Sequence, residues 1–173
     1  SRDPRASVDA RVADLLARMT REEKFWQLFM SPGDLDDPAV RWEHGAFGLQ
    51  VGAVRGVPPT LAAHAHAARI DSIQRHFARQ TRLGIPIIPF DEALHGLMRE
   101  GALVYPQAIG LAATFDSSLV RRVHDAVARE TRARGIRMVL SPVVNIATDV
   151  RWGRTEETFG EDVYLTSVMG RAH

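Results

Sequence analysis

Short apolar runs alternate with longer amphipathic segments along this chain, and this alternation is the feature that most limits its fold. Residues 45–51, 85–90 and 136–144 are each predicted to form a buried strand. Apolar residues recur every three to four positions over 60–82 and 117–134, which predicts helices. Strands that alternate with helices of this length are typical of parallel βαβ units. We therefore predict an α/β fold with about three strands.

Polar residues mark the expected helix boundaries. Glu23 completes a capping box at the start of the second helix, over 21–29, and Glu161 begins a last helical segment. Residues 31–34, Ser-Pro-Gly-Asp, are predicted to break the chain. The residues predicted to cap the N-termini of helices are Ser7, Thr20, Thr60 and Asp116.

Composition argues against several classes of function. The 173 residues carry 22 Lys and Arg against 21 Asp and Glu, so no basic excess favours nucleic acid as a partner. No run of 18 apolar residues occurs, so a membrane partner is not expected. Cys is absent, which excludes disulfides and thiolate chemistry. His64 and His66 are two apart on a predicted helix and diverge, so we expect no metal, and no phosphate-binding loop indicates a nucleotide cofactor.

Two long loops follow the carboxyl ends of predicted strands, where α/β folds place their chemistry in both barrels and open sheets. The first loop, 91–114, begins with Asp91 and Glu92, and His95 follows. Carboxylates here can accept hydrogen bonds from sugar hydroxyls or act as a general acid or base. The structural alternative is that one carboxylate caps the following turn and that His95 is a satisfied packing residue.

The second loop, 145–158, contains Arg154 and Glu157 beside Trp152. A guanidinium next to carboxylates forms strong hydrogen bonds, and an indole offers an apolar face to a sugar ring. The structural alternative is an Arg–Glu pair that fixes the loop. Both interpretations hold if Glu157 orients Arg154 toward a ligand. Carboxylate, guanidinium and imidazole groups at strand ends suit polyhydroxylated ligands such as sugars.

Several ordered motifs resemble glycoside hydrolase family 3. The Glu-Ala-Leu-His-Gly sequence at 92–96 is similar to the β-xylosidase and β-glucosidase branch rather than to the N-acetylglucosaminidase branch. The resemblance spans nearly the whole chain. The segments that carry it are 19–24, 82–87, 91–96, 105–116, 141–145 and 151–162.

The resemblance implies a (β/α)8 TIM-like barrel, incomplete in this chain, and retaining hydrolysis of terminal non-reducing β-D-glucosyl or β-D-xylosyl residues. Glu92 matches the family's acidic residue that holds sugar hydroxyls, and Asp91 is a second candidate because the acid shifts between motif variants. Arg154 matches the sugar-binding arginine of the Trp-Gly-Arg segment. Arg99 corresponds less well to a second sugar-contacting arginine because its spacing differs. No cofactor is implied.

Residues 1–173 are thus expected to form the N-terminal portion of a barrel domain, truncated and without a complete second domain. The family's nucleophile, its acid/base and its Lys-His pair are expected beyond His173, so this chain alone is expected to be inactive. The remainder of the barrel would come from missing residues or another chain. Related proteins are commonly periplasmic or secreted, so the resemblance implies a periplasmic or secreted location.

Two other functions remain open from the sequence. The chain could be a catalytically inactive sugar-binding or assembly fragment that lacks the nucleophile. It could also be an unrelated open α/β domain that binds a small acid at Arg154. The sequence does not choose between glucosides and xylosides, since specificity depends on loops that are mostly absent here.

Overall fold

The computed structural model describes residues 3–36 and 42–173. Its centre is a four-stranded parallel sheet in which the strands lie in the order β1-β2-β3-β4. The strands are β1 (Met30–Pro32), β2 (Gly48–Gln50), β3 (Ile88–Asp91) and β4 (Met138–Val139). Neighbours in the sheet thus follow chain order throughout, as in a barrel, whereas doubly wound sheets reverse direction at a switch point.

The strand count corrects the prediction of about three strands. β1 occupies part of the segment predicted to break the chain, because Met30 pairs with Gly48 and the pairing continues to Pro32. Proline is tolerated there since β1 has a sheet neighbour on one side only among the described residues. The predicted strand at 136–144 is also too long, because only Met138–Val139 pairs with β3.

Within residues 3–36 and 42–173, six α-helices accompany the sheet. The predicted capping by Ser7 and Asp116 is confirmed, and so is the capping box of Thr20 with Glu23. The prediction for Thr60 is wrong, because that helix begins at Pro59, whose fixed φ suits the first helical position. The helices are α1 (Val8–Arg18), α2 (Arg21–Trp26), α3 (Pro59–Gln80), α4 (Ala108–Ala112), α5 (Ser117–Ala133) and α6 (Val163–Ala172). No helix in the described ranges is long and apolar enough to cross a membrane.

Two apolar clusters hold the helices against the sheet. The first lies under α3, whose Ile73 and Phe77 are fully buried against Leu49 of β2. The second joins α4, α5 and α6 around Val120 and Phe159. Because Phe159 directly follows the predicted loop at 145–158, the second cluster anchors that loop to the helices.

The two outer strands leave apolar surface uncovered among the described residues. Beside β1, Phe25, Leu28 and Phe29 are exposed, and Leu28 retains 79% of its surface. Beyond β4, Leu140 and Val144 are exposed. Exposed apolar side chains next to the unpaired edge of a strand are typical of a surface that another element covers.

Candidate functional site

Asp91 is the last residue of β3, and its carboxylate is enclosed by protein donors. Oδ2 accepts a 2.6 Å hydrogen bond from Arg99 Nε, and Oδ1 accepts one of 2.8 Å from Arg99 Nη2. Oδ1 also accepts from Gln50 Nε2 at 2.9 Å and from the backbone N–H of Glu92 at 2.8 Å. The side chain is 4% exposed. Both oxygens of Asp91 are thus occupied within the protein.

Glu92 is the adjacent residue but is placed differently, because it is exposed at the carboxyl end of β3. Its backbone N–H is held by Asp91. Within residues 3–36 and 42–173, no hydrogen bond reaches the Glu92 carboxylate. The two acids that the sequence left as alternatives therefore differ in access, since Glu92 is exposed and Asp91 is buried.

His95 fixes the shape of the first loop. Its Nδ1 lies 2.8 Å from the carbonyl oxygen of Tyr105, and the N–H of Tyr105 donates to the carbonyl oxygen of His95 at 2.7 Å. A carbonyl only accepts, so Nδ1 carries the proton in this contact. Gly96 follows at φ +124, where a Cβ atom would collide with the carbonyl oxygen of Leu103. The structural alternative for His95, a satisfied packing residue, is supported at one ring nitrogen, because Nδ1 is occupied within the loop.

Arg154 and Glu157 form the predicted pair in the second loop. Glu157 Oε2 accepts from Arg154 Nε at 2.9 Å and from Nη2 at 2.5 Å. The hydrogen bond that Arg154 donates to Glu157 raises the pKa of Arg154, and the charges of Glu157 and Glu92 raise it further. Glu92 directly follows β3 and Arg154 lies in the loop after β4, so the two loops place a carboxylate and a guanidinium at the carboxyl edge of the same parallel sheet. Arg154 keeps 56% of its side-chain surface exposed.

Arg154 immediately precedes a short 3-10 helix, Thr155–Glu157, and buried residues follow that helix. Thr158 is fully buried, and its hydroxyl donates to the carbonyl oxygen of Thr155 at 2.8 Å. The N–H of Ala147 donates to the carbonyl oxygen of Gly160 at 3.1 Å, which closes the base of the loop. Trp152, two residues before Arg154 in the same loop, is 36% exposed.

Gln50 was not predicted to be a site residue, and Arg99 was predicted only as a poor match to a sugar-contacting arginine. Both side chains contact Asp91. Gln50 was a detectable signal, because it is the one polar side chain in the apolar run at 45–51 and it ends β2. Both side chains also line an open cavity at the carboxyl ends of β1 and β2, together with Pro32 and Arg55.

Two further basic residues, His66 and Arg134, lie near the Asp91–Arg99 pair and share a small cavity with Arg99. His66 is buried, and its Nε2 is 3.0 Å from the carbonyl oxygen of Val51. Burial lowers the pKa of His66, and the nearby charge of Arg99 acts in the same direction. Arg134 is also buried, and burial lowers its pKa, which the charge of Asp91 opposes. No group of three or more metal-ligating side chains occurs in the part of the chain described.

Comparison with known proteins agrees with this architecture. A parallel sheet in chain order, with its polar loops at the carboxyl ends, defines a TIM-barrel-like α/β protein. The chain belongs to glycoside hydrolase family 3, because residues 21–173 match the family model described as the glycosyl hydrolase family 3 N terminal domain.

Three relatives illustrate the similarity. The chain is 35% identical to a periplasmic β-glucosidase of Salmonella typhimurium, over 94% of this chain and 20% of the relative. It is 33% identical to a periplasmic β-glucosidase/β-xylosidase of Dickeya chrysanthemi, over 99% of this chain and 29% of the relative. The solved structure of a β-glucosidase from Erythrobacter marinus superimposes with a TM-score of 0.81 at 34% identity, over 99% of this chain and 23% of that one. The chain thus spans less than a third of each relative.

Proposed function

We propose that residues 1–173 are the N-terminal portion of the barrel domain of a retaining, exo-acting β-glycosidase that removes terminal β-D-glucosyl or β-D-xylosyl residues. The observation that carries this proposal is that an exposed Glu92 carboxylate and an Arg154 guanidinium held by Glu157 lie in the two loops that follow β3 and β4 of one parallel sheet. The names of the family relatives, β-glucosidase and β-xylosidase, support the substrate class.

The two side chains suit a sugar in complementary ways. A carboxylate only accepts hydrogen bonds, so Glu92 accepts from the hydroxyls of the terminal sugar. A guanidinium only donates, so Arg154 donates to hydroxyl oxygens. Trp152 offers an apolar surface next to Arg154. These groups fix the ring for attack, and the carboxylate nucleophile and the general acid that retention requires are proposed to lie beyond His173.

Turnover by the complete protein that carries this segment tests the proposal. Aryl β-glucosides and aryl β-xylosides are the substrates, and proton NMR of the first product formed distinguishes retention from inversion. Release of β-configured glucose or xylose supports the proposal. The absence of turnover on both substrate series, or release of the α anomer, contradicts it.

A sugar-binding segment without catalysis is the second candidate, because Glu92 and Arg154 can hydrogen-bond to a sugar but supply no nucleophile. A segment that holds Glu92 and Arg154 without a nucleophile could bind a sugar but not cleave it. Calorimetry of this segment with glucose and xylose is the test. No heat at about millimolar sugar, the weak end of specific binding, excludes this candidate.

The uncovered apolar surface indicates what completes the fold. We propose that the remainder of the barrel, from the same polypeptide or another chain, packs beside β1 against Phe25, Leu28 and Phe29 and beyond β4.

We also propose a periplasmic location, because the Salmonella and Dickeya relatives are named periplasmic. Fractionation by osmotic shock tests the location, and activity confined to the cytoplasmic fraction contradicts it.

A further inference from the structure

The Asp91 carboxylate joins three separate parts of the site. It holds the end of β2 through Gln50, the first residue of the loop through the N–H of Glu92, and the later part of the loop through Arg99. Gln50 is 41 residues from Asp91 in sequence, and Arg99 is eight residues away. The position of the Glu92 backbone therefore depends on a carboxylate that does not itself face solvent.

Asp91 supplies negative charge to basic side chains that are poorly solvated. Arg99 keeps only 19% of its side-chain surface, and Arg134 is buried close enough for the charges of Asp91 and Arg99 to act on it. His66 lies within reach of the same charges. Removal of the Asp91 charge leaves these poorly solvated guanidinium groups with less counter-charge, because Arg99 loses its ion-pair partner and Arg134 retains the charge of Glu130 alone. Such groups move toward water or other acceptors, which displaces the loop that contains Glu92.

We propose that Asp91 is a positioning residue that holds Glu92 in the geometry needed to bind the terminal sugar, an inference that rests on the proposed function. Asp91 fixes the Glu92 backbone directly and fixes the loop through Arg99. Glu92 makes the contact with the sugar. The two neighbouring carboxylates thus have different roles. Asp91 is buried and organises the loop, whereas Glu92 is exposed and binds the substrate.

Asp34 provides a matched control because its local contacts are similar. It follows β1, its Oδ1 accepts from the N–H of the next residue, Leu35, at 2.5 Å, and its Oδ2 accepts from Arg69 Nε at 2.8 Å. Asp34 makes no contact with Glu92 among the contacts of the described residues. A comparison of Asp91→Asn with Asp34→Asn therefore separates the loss of a part-buried Asp–Arg pair from the loss of Glu92 positioning.

The test is kinetic and uses the complete protein. The measurements are KM, kcat and the inhibition constant Ki of free glucose or xylose, whichever matches the preferred substrate. Asp91→Asn should raise KM and Ki about tenfold, while Asp34→Asn should leave Ki within about twofold of the wild-type value. A smaller folded fraction lowers the apparent kcat but does not change Ki, so Ki distinguishes positioning from instability.

A double-mutant cycle with Glu92→Gln shows whether Asp91 acts through Glu92. If it does, Asp91→Asn combined with Glu92→Gln lowers kcat/KM hardly more than Glu92→Gln alone. The inference is overturned if the kcat/KM loss of the double variant equals the product of the two single-variant losses. It is also overturned if Asp91→Asn leaves Ki unchanged. If the complete protein cleaves no β-glycoside, the proposed function fails separately. Hydrogen exchange then decides the positioning: faster exchange in residues 91–97 of Asp91→Asn than in Asp34→Asn supports it, and equal exchange overturns it.

Discussion

Glu157 holds the guanidinium of Arg154 through a single carboxylate oxygen, which accepts from both Nε and Nη2. Glu157 is mostly enclosed, with 21% of its side-chain surface exposed, whereas Arg154 remains more than half exposed. Glu157 thereby fixes the orientation of the guanidinium and so of its remaining N–H groups. This arrangement suits a guanidinium that must be in place before a ligand arrives.

Removal of Arg154 should impair turnover of β-glycosides. In the complete protein, Arg154→Ala is expected to lower kcat/KM on the preferred aryl β-glycoside about ten- to a hundred-fold, since a hydrogen bond to a charged group contributes roughly 1.5–3 kcal/mol. Arg151→Ala is the matched control, because Arg151 lies in the same loop and pairs with Asp149. Equal kcat/KM values for Arg154→Ala and the control would exclude Arg154 from sugar binding.

The contribution of Glu157 should be visible only when Arg154 is present. Glu157→Gln removes the charge but keeps the size of the side chain, so Arg154 is expected to lose its fixed orientation. We expect kcat/KM to fall by roughly three- to ten-fold, less than for Arg154→Ala. The double variant should resemble Arg154→Ala alone in steady-state kinetics. A double variant that loses the product of both effects would show that Glu157 acts independently of Arg154.

The difference between these local contacts and the Asp91 cluster explains which parts of the site the sequence could predict. Arg154 and Glu157 are three residues apart, so their pairing follows from local chain geometry. Gln50 and Asp91 meet only because β2 and β3 pair in a register that sets Leu49 opposite Pro89. Sequence patterns give neither the register nor the neighbouring strand, so the contact between Gln50 and Asp91 could not be predicted.

The strands show the same limit. The apolar runs that became β2 and β3 were predictable because each is bounded by glycine or proline. β1 has three residues, two of which are Ser31 and Pro32, so it has no apolar run of its own. Its strand conformation depends on the hydrogen-bonding edge of β2. Secondary structure that depends on a neighbour in this way is not visible in the local sequence.

The Glu23–Arg82 ion pair should make stability depend on pH. Arg82 Nε donates to Glu23 Oε1 at 2.9 Å, and the N–H of Thr20 donates to Oε2 at 2.8 Å. The Arg82 hydrogen bond lowers the pKa of the Glu23 carboxyl below its ordinary 4.5, although burial opposes the change. A carboxyl whose pKa is lowered by folding stabilises the folded state above 4.5, and this contribution is lost as the pH falls through the lowered pKa.

Glu23→Gln tests this dependence, because glutamine can still accept the hydrogen bond from Thr20 but carries no charge. At pH 7 we expect the variant to be less stable by about 1 kcal/mol, a modest value since Arg82 is half exposed. Thermal unfolding midpoints of the wild type and the variant should converge as the pH falls below 4.5. Asp71→Asn, which breaks an exposed pair with Arg75 on α3, should have little effect at either pH. A gap between wild type and Glu23→Gln that persists in acid would contradict the assigned ion pair.

Substitution of Gly96 should destabilise the first loop more than substitution of a glycine in open space. At φ +124, an L-residue is strained, and the added Cβ would meet the backbone of Leu103. Gly96→Ala is expected to cost about 1–3 kcal/mol and to lower turnover, because the His95–Tyr105 contacts beside it position the chain after Glu92. Gly52→Ala is the control, since no atom lies within 4 Å of its added Cβ. Equal thermal midpoints for the two variants would show that the turn at Gly96 relaxes without cost, and that the loop does not depend on this close backbone approach.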